Sequence, residues 1–122
     1  MRRNPTESCR LEKHERLRKR SDLLNVFGAK NRVGCRGIKL LFRRNELEWN
    51  RAAFVAGRGY KSAVKRNREK RRGREIYRRL KSRLAGGYDM IFFLYPGDFS
   101  YWERKEQIEW LLTKSGLFSA DR

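Results

Sequence analysis

The run Tyr88-Asp89-Met90-Ile91-Phe92-Phe93-Leu94-Tyr95 is the most apolar stretch of the chain, bounded by Gly86-Gly87 and Pro96-Gly97. It is too short for a buried helix and too apolar to show one face to water. A segment of this kind is a central strand covered on both faces. That requirement restricts the fold more than any other feature, because it calls for a sheet with a layer packed on each side.

The remaining segments supply those layers. Ser21 reads as the N-cap of a short helix that places Leu23, Leu24 and Phe27, with Leu17 just before it, on or near one face, and Gly28 as its stop. Ile38 to Arg43 reads as a strand with partial alternation. The polar stretch Asn45 to Asn50 reads as a hairpin connection into a second strand, Arg51 to Ala56, which Gly57-Arg58-Gly59 breaks. A third short strand around that glycine pair is left open. Residues 62–85 lack proline, are rich in good helix formers, and carry an apolar stripe of Ile76, Tyr77, Leu80 and Leu84 in their second half only. Gly73 inside this helix should cost about 1 kcal/mol relative to Ala. Ser100-Tyr101-Trp102-Glu103 fits a capping box, opening a last helix with Ile108, Leu111, Leu112 and Ser115 on one face and Gly116 as its C′ residue. The expected class is α+β, an α/β sandwich of one small mixed sheet with three helices in the order α-β-β-(β)-α-β-α. Residues 1–16 are polar, charged and aperiodic and read as a flexible basic arm. Residues 17–122 are expected to form a single domain.

The net charge of +18 is distributed unevenly. Residues 58–83 hold 13 basic and 2 acidic groups, a surplus of 11, whereas residues 84–122 hold 4 and 6, a net of −2. A surplus concentrated in this way implies a polyanionic partner. No apolar run approaches the roughly 18–20 residues of a membrane span, and no apolar stretch follows the basic N-terminus as a secretory leader would need. The expected setting is the cytoplasm. Cys9 and Cys35 show no metal-binding spacing, the lone His14 stands in a charged run, and both thiols are expected to be free. Phosphodiester hydrolysis by protein groups calls for a cluster of acidic metal ligands, and this chain has arginine where a nuclease would have aspartate. No catalytic residue and no metal ligand is assigned.

The basic surplus peaks in Ala63-Val64-Lys65-Arg66-Asn67-Arg68-Glu69-Lys70-Arg71-Arg72-Gly73-Arg74-Glu75. On a helix, Arg68, Arg71, Arg72 and Glu75 share one side while Lys70 and Arg74 lie at i and i+4 on another. Arginine holds phosphate oxygens bidentately where lysine does not, and Asn67 adds a donor and an acceptor suited to a ribose or a base edge. Solvated helix faces normally alternate in sign, so RNA contact is favoured over a merely solvated face or an import-like basic cluster. Glu69 and Glu75 read as ion partners of neighbouring arginines.

These residues resemble the Arg-Asn-Arg signature of the bacterial ribonuclease P protein family. The resemblance extends to Asp22-Leu23-x-x-Val26-Phe27 and to the order of elements, and covers about Leu17 to Leu117. It implies a left-handed crossover around the basic helix, against the general right-handed rule. It also implies that the protein assists Mg²⁺-dependent endonucleolytic removal of the 5′ leader from precursor tRNA, the chemistry and the Mg²⁺ belonging to a catalytic RNA. By position, Arg58, Lys61, Lys65, Arg66, Asn67, Arg68, Lys70, Arg71, Arg72 and Arg74 would contact RNA. Phe27, Leu23 and Leu41 would face a leader cleft between the sheet and the first helix, with Lys70 and Arg74 near its edge. The family usually has aromatics where Leu23 and often Leu41 stand, which leaves Phe27 as the one ring of the cleft; at helical spacing with Leu23 and Leu24 it reads equally as a core residue. The alternative class is a small basic ribosomal protein; a stand-alone basic nuclease or DNA-binding helix has neither catalytic acids nor heptads behind it.

Overall fold

The computed structural model describes residues 11–118. A four-stranded sheet runs in the order β1-β2-β4-β3, with β1 Arg32–Cys35, β2 Ile38–Arg44, β3 Arg51–Ala56 and β4 Tyr88–Leu94. Helix α1 spans Arg20–Phe27, α2 Ala63–Leu80 and α3 Tyr101–Ser115. β4 is interior, antiparallel to β2 and parallel to β3, so α2 is the crossover between two parallel neighbours. The expected α+β sandwich of one mixed sheet and three helices is the observed architecture.

Strand register sorts the side chains into two cores. Ile38, Leu40, Ala52, Phe54, Met90, Phe92 and Leu94 point to one face, where they meet Ile76, Tyr77 and Leu80 of α2 and Ile108, Leu111 and Leu112 of α3. Phe54 and Phe92 stack at 5.0 Å between centroids, and Tyr77 meets both rings edge-on. On the other face, Leu41 and Ile91 pack with Leu17 and with Val26 of α1. β4 is thus covered on both sides, as its composition requires.

Gly73 lies where α2 crosses the sheet. A Cβ there would sit 3.1 Å from the Phe54 ring and 3.3 Å from Leu94. Close helix-to-sheet contact therefore offsets its helix-propensity cost. At the end of α3, Gly116 takes the left-handed conformation, φ 78°, that favours glycine. The capping box at Ser100 and Glu103 forms in both directions.

Several expectations need correction. The segment Asn45 to Asn50 is not a hairpin turn, because β2 and β3 are not paired; β4 lies between them. The additional strand is β1, ahead of Gly37, and the stretch around Gly57 and Gly59 is turn. The basic helix ends at Leu80 and continues only as a 3-10 turn, Lys81–Arg83. Ser21 is not the cap of α1, whose N-cap position is Lys19 with no side-chain bond. The apolar face of α1 also differs, since Val26 is its buried residue while Leu24 and Phe27 are exposed.

The arm expected over residues 1–16 does not reach residue 16. Leu11 is buried in the larger core, and the Leu17 amide donates to the Ala52 carbonyl. Glu15 accepts from Lys81 at 2.9 Å. Burial pulls the Glu15 carboxyl upward, but the Glu12 amide and Lys81 outweigh it and hold it below the usual carboxylate range. One buried apolar residue, one backbone hydrogen bond and one ion pair tie down a segment with no periodicity. Residues 1–10, with Cys9, lie outside the described residues; Cys35 is a free, half-buried thiol.

Candidate RNA interface

Helix α2 is capped by Ser62, whose hydroxyl accepts from the Lys65 amide at 3.1 Å. Its second half is held by apolar burial. Its first half has one buried contact, Glu69, which is 4 % exposed. Glu69 Oε1 accepts from Arg104 Nε at 3.0 Å and Oε2 from Arg72 Nη1 at 3.4 Å. Arg104 of α3 is itself completely buried. It donates to the carbonyls of Gly37 at 2.7 Å and Tyr95 at 2.8 Å and to Gln107 Oε1 at 3.1 Å, and lies 4.5 Å over the Phe99 ring. A buried ion pair thus pins the cationic half-helix where an apolar stripe is missing.

With Glu69 inward, the 100° step of the helix divides the cations into two flanks. Lys65, Arg68 and Arg72 fall on one. With Lys61 ahead of the helix, Lys65 and Arg68 line a groove of about 370 Å³, walled opposite by Pro96, Gly97 and Asp98. Arg72 donates to the Phe99 carbonyl at 3.0 Å as well as to Glu69, so it tethers the helix to that wall. Arg66, Lys70 and Arg74 fall on the other flank. Arg74 is half-buried, and its pKa is pushed down by burial and then by Arg78, Arg16 and Arg71. A guanidinium stays charged regardless, so this crowding is a standing repulsion that a polyanion would relieve. Arg58, Lys61, Lys65, Asn67, Arg68 and Arg71 are exposed; Arg66, Lys70, Arg72 and Arg74 are half-buried. Six of the ten expected RNA-contacting residues therefore fall into two groups on opposite flanks of one helix, with Asn67 and Arg71 on its outer side between them and Arg58 and Lys61 ahead of it.

The other expected site is divided too. Phe27 is exposed, and its ring lies 5.6 Å from that of Phe93 at 51°. Leu23 is half-buried beside them. Leu41 is only 3 % exposed. It sits under α1 with Leu17, Val26 and Ile91, and forms the floor of this face rather than an open wall. The residues missed from sequence are Phe93 and Lys39, which are paired across β2 and β4. Lys39 Nζ lies 5.3 Å from the centre of the Phe93 ring. Within a continuous apolar run nothing distinguishes Phe93 from its neighbours; only the extent of α1 leaves it partly open.

The described residues contain no group of three or more potential metal-ligating side chains, and no helix long and apolar enough to cross a membrane. Fold and site together define a small basic α+β protein whose cationic helix is anchored at the surface by a buried ion pair. The sequence profile of the ribonuclease P family matches residues 11–116. The ribonuclease P protein component of Caldanaerobacter subterraneus is 34 % identical over 111 residues, covering 88 % of this chain and 94 % of that one. That of Thermotoga maritima is 37 % identical over 79 residues, 65 % of this chain and 68 % of that one. A solved structure of the Thermotoga maritima protein superposes with a TM-score of 0.73 at 30 % identity, over 82 % of this chain and 96 % of that one. The chain belongs to the ribonuclease P protein family. It is the accessory subunit of an endoribonuclease that processes tRNA and in which RNA carries the catalysis, and its partner is the ribonuclease P RNA. The alternative of a small basic ribosomal protein finds no support in these matches.

Proposed function

We propose that, in the cytoplasm, the two cationic flanks of α2 dock on the catalytic RNA and its substrate, and that the face beside α1 holds the 5′ leader of precursor tRNA during Mg²⁺-dependent removal of that leader. The observation that supports this most is the Glu69–Arg104 anchor, which holds an otherwise unsupported run of cations rigid at the surface. Arg66, Arg68, Lys65 and Lys61 supply phosphate contacts in place of released counterions. Phe27 and Phe93 offer a base-stacking platform, and Lys39 a cation for the adjoining phosphate. The buried carboxylates do not fit Mg²⁺: Glu69 is committed to Arg104 and Arg72, and Asp89 to Arg51 and Asn45. The ion is accordingly assigned to the RNA, and the protein's role is to bind, orient and screen charge.

The test is precursor and mature tRNA incubated with protein, catalytic RNA or both across a Mg²⁺ series. Protein should lower the Mg²⁺ requirement of the RNA and cut nothing by itself. Phe27→Ala with Phe93→Ala should weaken precursor binding by about tenfold or more, at roughly 1–3 kcal/mol per stacked base, and leave mature tRNA unaffected. Equal losses for both RNAs, with a lowered melting temperature, would make these rings packing residues instead. Cleavage at the mature 5′ end by RNA-free protein would overturn the assignment of the chemistry.

A further inference from the structure

The loop Pro96-Gly97-Asp98 separates two unlike surfaces. On one side lies the cationic groove of α2. On the other, two adjoining grooves of about 340 and 380 Å³ share Arg36, Phe99 and Glu103; the first adds Glu106 and Trp110, the second Tyr95 and Asp98. Between Tyr95 and Trp110 the basic residues are Arg104 and Lys105. Arg104 is buried against Glu69, and Lys105 pairs with Glu109 at 3.0 Å. The charges left facing solvent in that stretch are Asp98, Glu103 and Glu106. Tyr95, Trp102 and Trp110 are exposed in the same stretch, at 39 %, 69 % and 44 %. Trp102, Glu106 and Trp110 recur every four residues and so form one row along α3.

On a chain of net charge +18, an acidic aromatic surface is the opposite of what a phosphate backbone selects. It is also pre-organised. The Phe99 ring is seated against Gly37 and Gly97 so closely that a Cβ at either glycine would collide with it. The Arg104 guanidinium covers that ring at 4.5 Å. Rigid rings beside carboxylates that have no ion-pair partner suit a cationic side chain through cation–π and charge contacts together. Lys114, 5.9 Å from the centre of the Trp110 ring, already makes a weak version of this contact. Arg36, which lines both grooves, and Lys114, beside Trp110, are the exposed cations at its margin among the described residues.

We propose that this double groove is a docking surface for a basic polypeptide segment of a partner protein. An Arg or Lys of the partner sits on Trp110 and Phe99 against Glu103 and Glu106, and neighbouring apolar residues cover Trp102 and Tyr95. The site lies across the 96–98 loop from the RNA-facing groove, so a partner could bind while α2 holds RNA.

The test uses the full chain and fluorescein-labelled octapeptides alternating arginine with leucine or glutamate with leucine, together with an unstructured oligouridylate. The arginine peptide should bind saturably and quench tryptophan fluorescence, and the glutamate peptide should not bind. Glu106→Lys and Trp110→Ala, both at exposed positions, should each weaken arginine-peptide binding about tenfold, or about 1.4 kcal/mol. Neither should weaken oligouridylate binding. Absence of saturable peptide binding, or affinity indifferent to both substitutions in folded protein, would overturn the proposal. So would loss of oligouridylate affinity in Trp110→Ala, which would make this a nucleic-acid surface.

Discussion

Glu69→Ala should destabilise the domain by about 3–5 kcal/mol, the cost of stranding a buried charge by removing its partner. Arg104 is 1 % and Glu69 5 % exposed at the side chain, so water does not reach the guanidinium to replace the lost carboxylate. The remaining acceptors of Arg104 are neutral carbonyls, an amide and the Tyr60 hydroxyl, which satisfy its protons without balancing its charge. Against a typical stability of roughly 5–15 kcal/mol, the loss approaches the whole. Urea unfolding should show a lower midpoint with an unchanged slope. Glu69→Leu combined with Arg104→Met should recover most of the loss, because an apolar pair of similar volume avoids the desolvation cost. A single-mutant loss below about 1 kcal/mol, the range of exposed ion pairs, would mean that Arg104 escapes to solvent.

Arg66→Ala with Arg68→Ala should leave stability unchanged and weaken binding to the catalytic RNA. Neither side chain has an ion-pair or hydrogen-bond partner among the described residues, and both project from the anchored half of α2. Two lost phosphate contacts should flatten the slope of log K against log salt by about 1.4–1.8, which at 0.1 M salt is roughly a 30-fold loss of affinity. The measurement is a filter-binding or anisotropy titration at several salt concentrations, with the melting temperature recorded alongside. An unchanged slope in folded protein would place both residues outside the interface.

What the sequence displays is what local chemistry decides. The Tyr88–Leu94 strand, the Ser100 and Glu103 capping box, Gly116 and the Ile76-Tyr77-Leu80 stripe depend on residues within one or two turns of each other, and each forms; only the outer members of the run and the stripe as read, Tyr95 and Leu84, fall outside their elements. Pairing partners are not local. Strands β2 and β3 are adjacent in sequence and separated in the sheet, because β4 is apolar enough to need two neighbours. Glu69 read as a partner for nearby arginines and does meet Arg72, but its buried partner comes from 35 positions further on. Leu41 and Phe93 exchange expected roles for a similar reason. An eight-residue α1 buries Leu41 and reaches Phe93 only through the exposed ring of its last residue, Phe27, and its length relative to the sheet is not written in either strand.

The interior position of β4 also has a consequence for how the chain acquires its structure. Strands β1 to β3 and the basic helix leave the ribosome before residues 88–94, yet β2 and β3 have no contact register with each other until β4 fills the gap between them. At roughly 5–20 residues per second, the α2 cations are in solution for seconds before the sheet that orients them exists. The last helix then brings Arg104 to Glu69. Closure of the sheet therefore waits for residues 88–94 and depends on non-local pairing, and until then the nascent chain is a polycation without the finished scaffold.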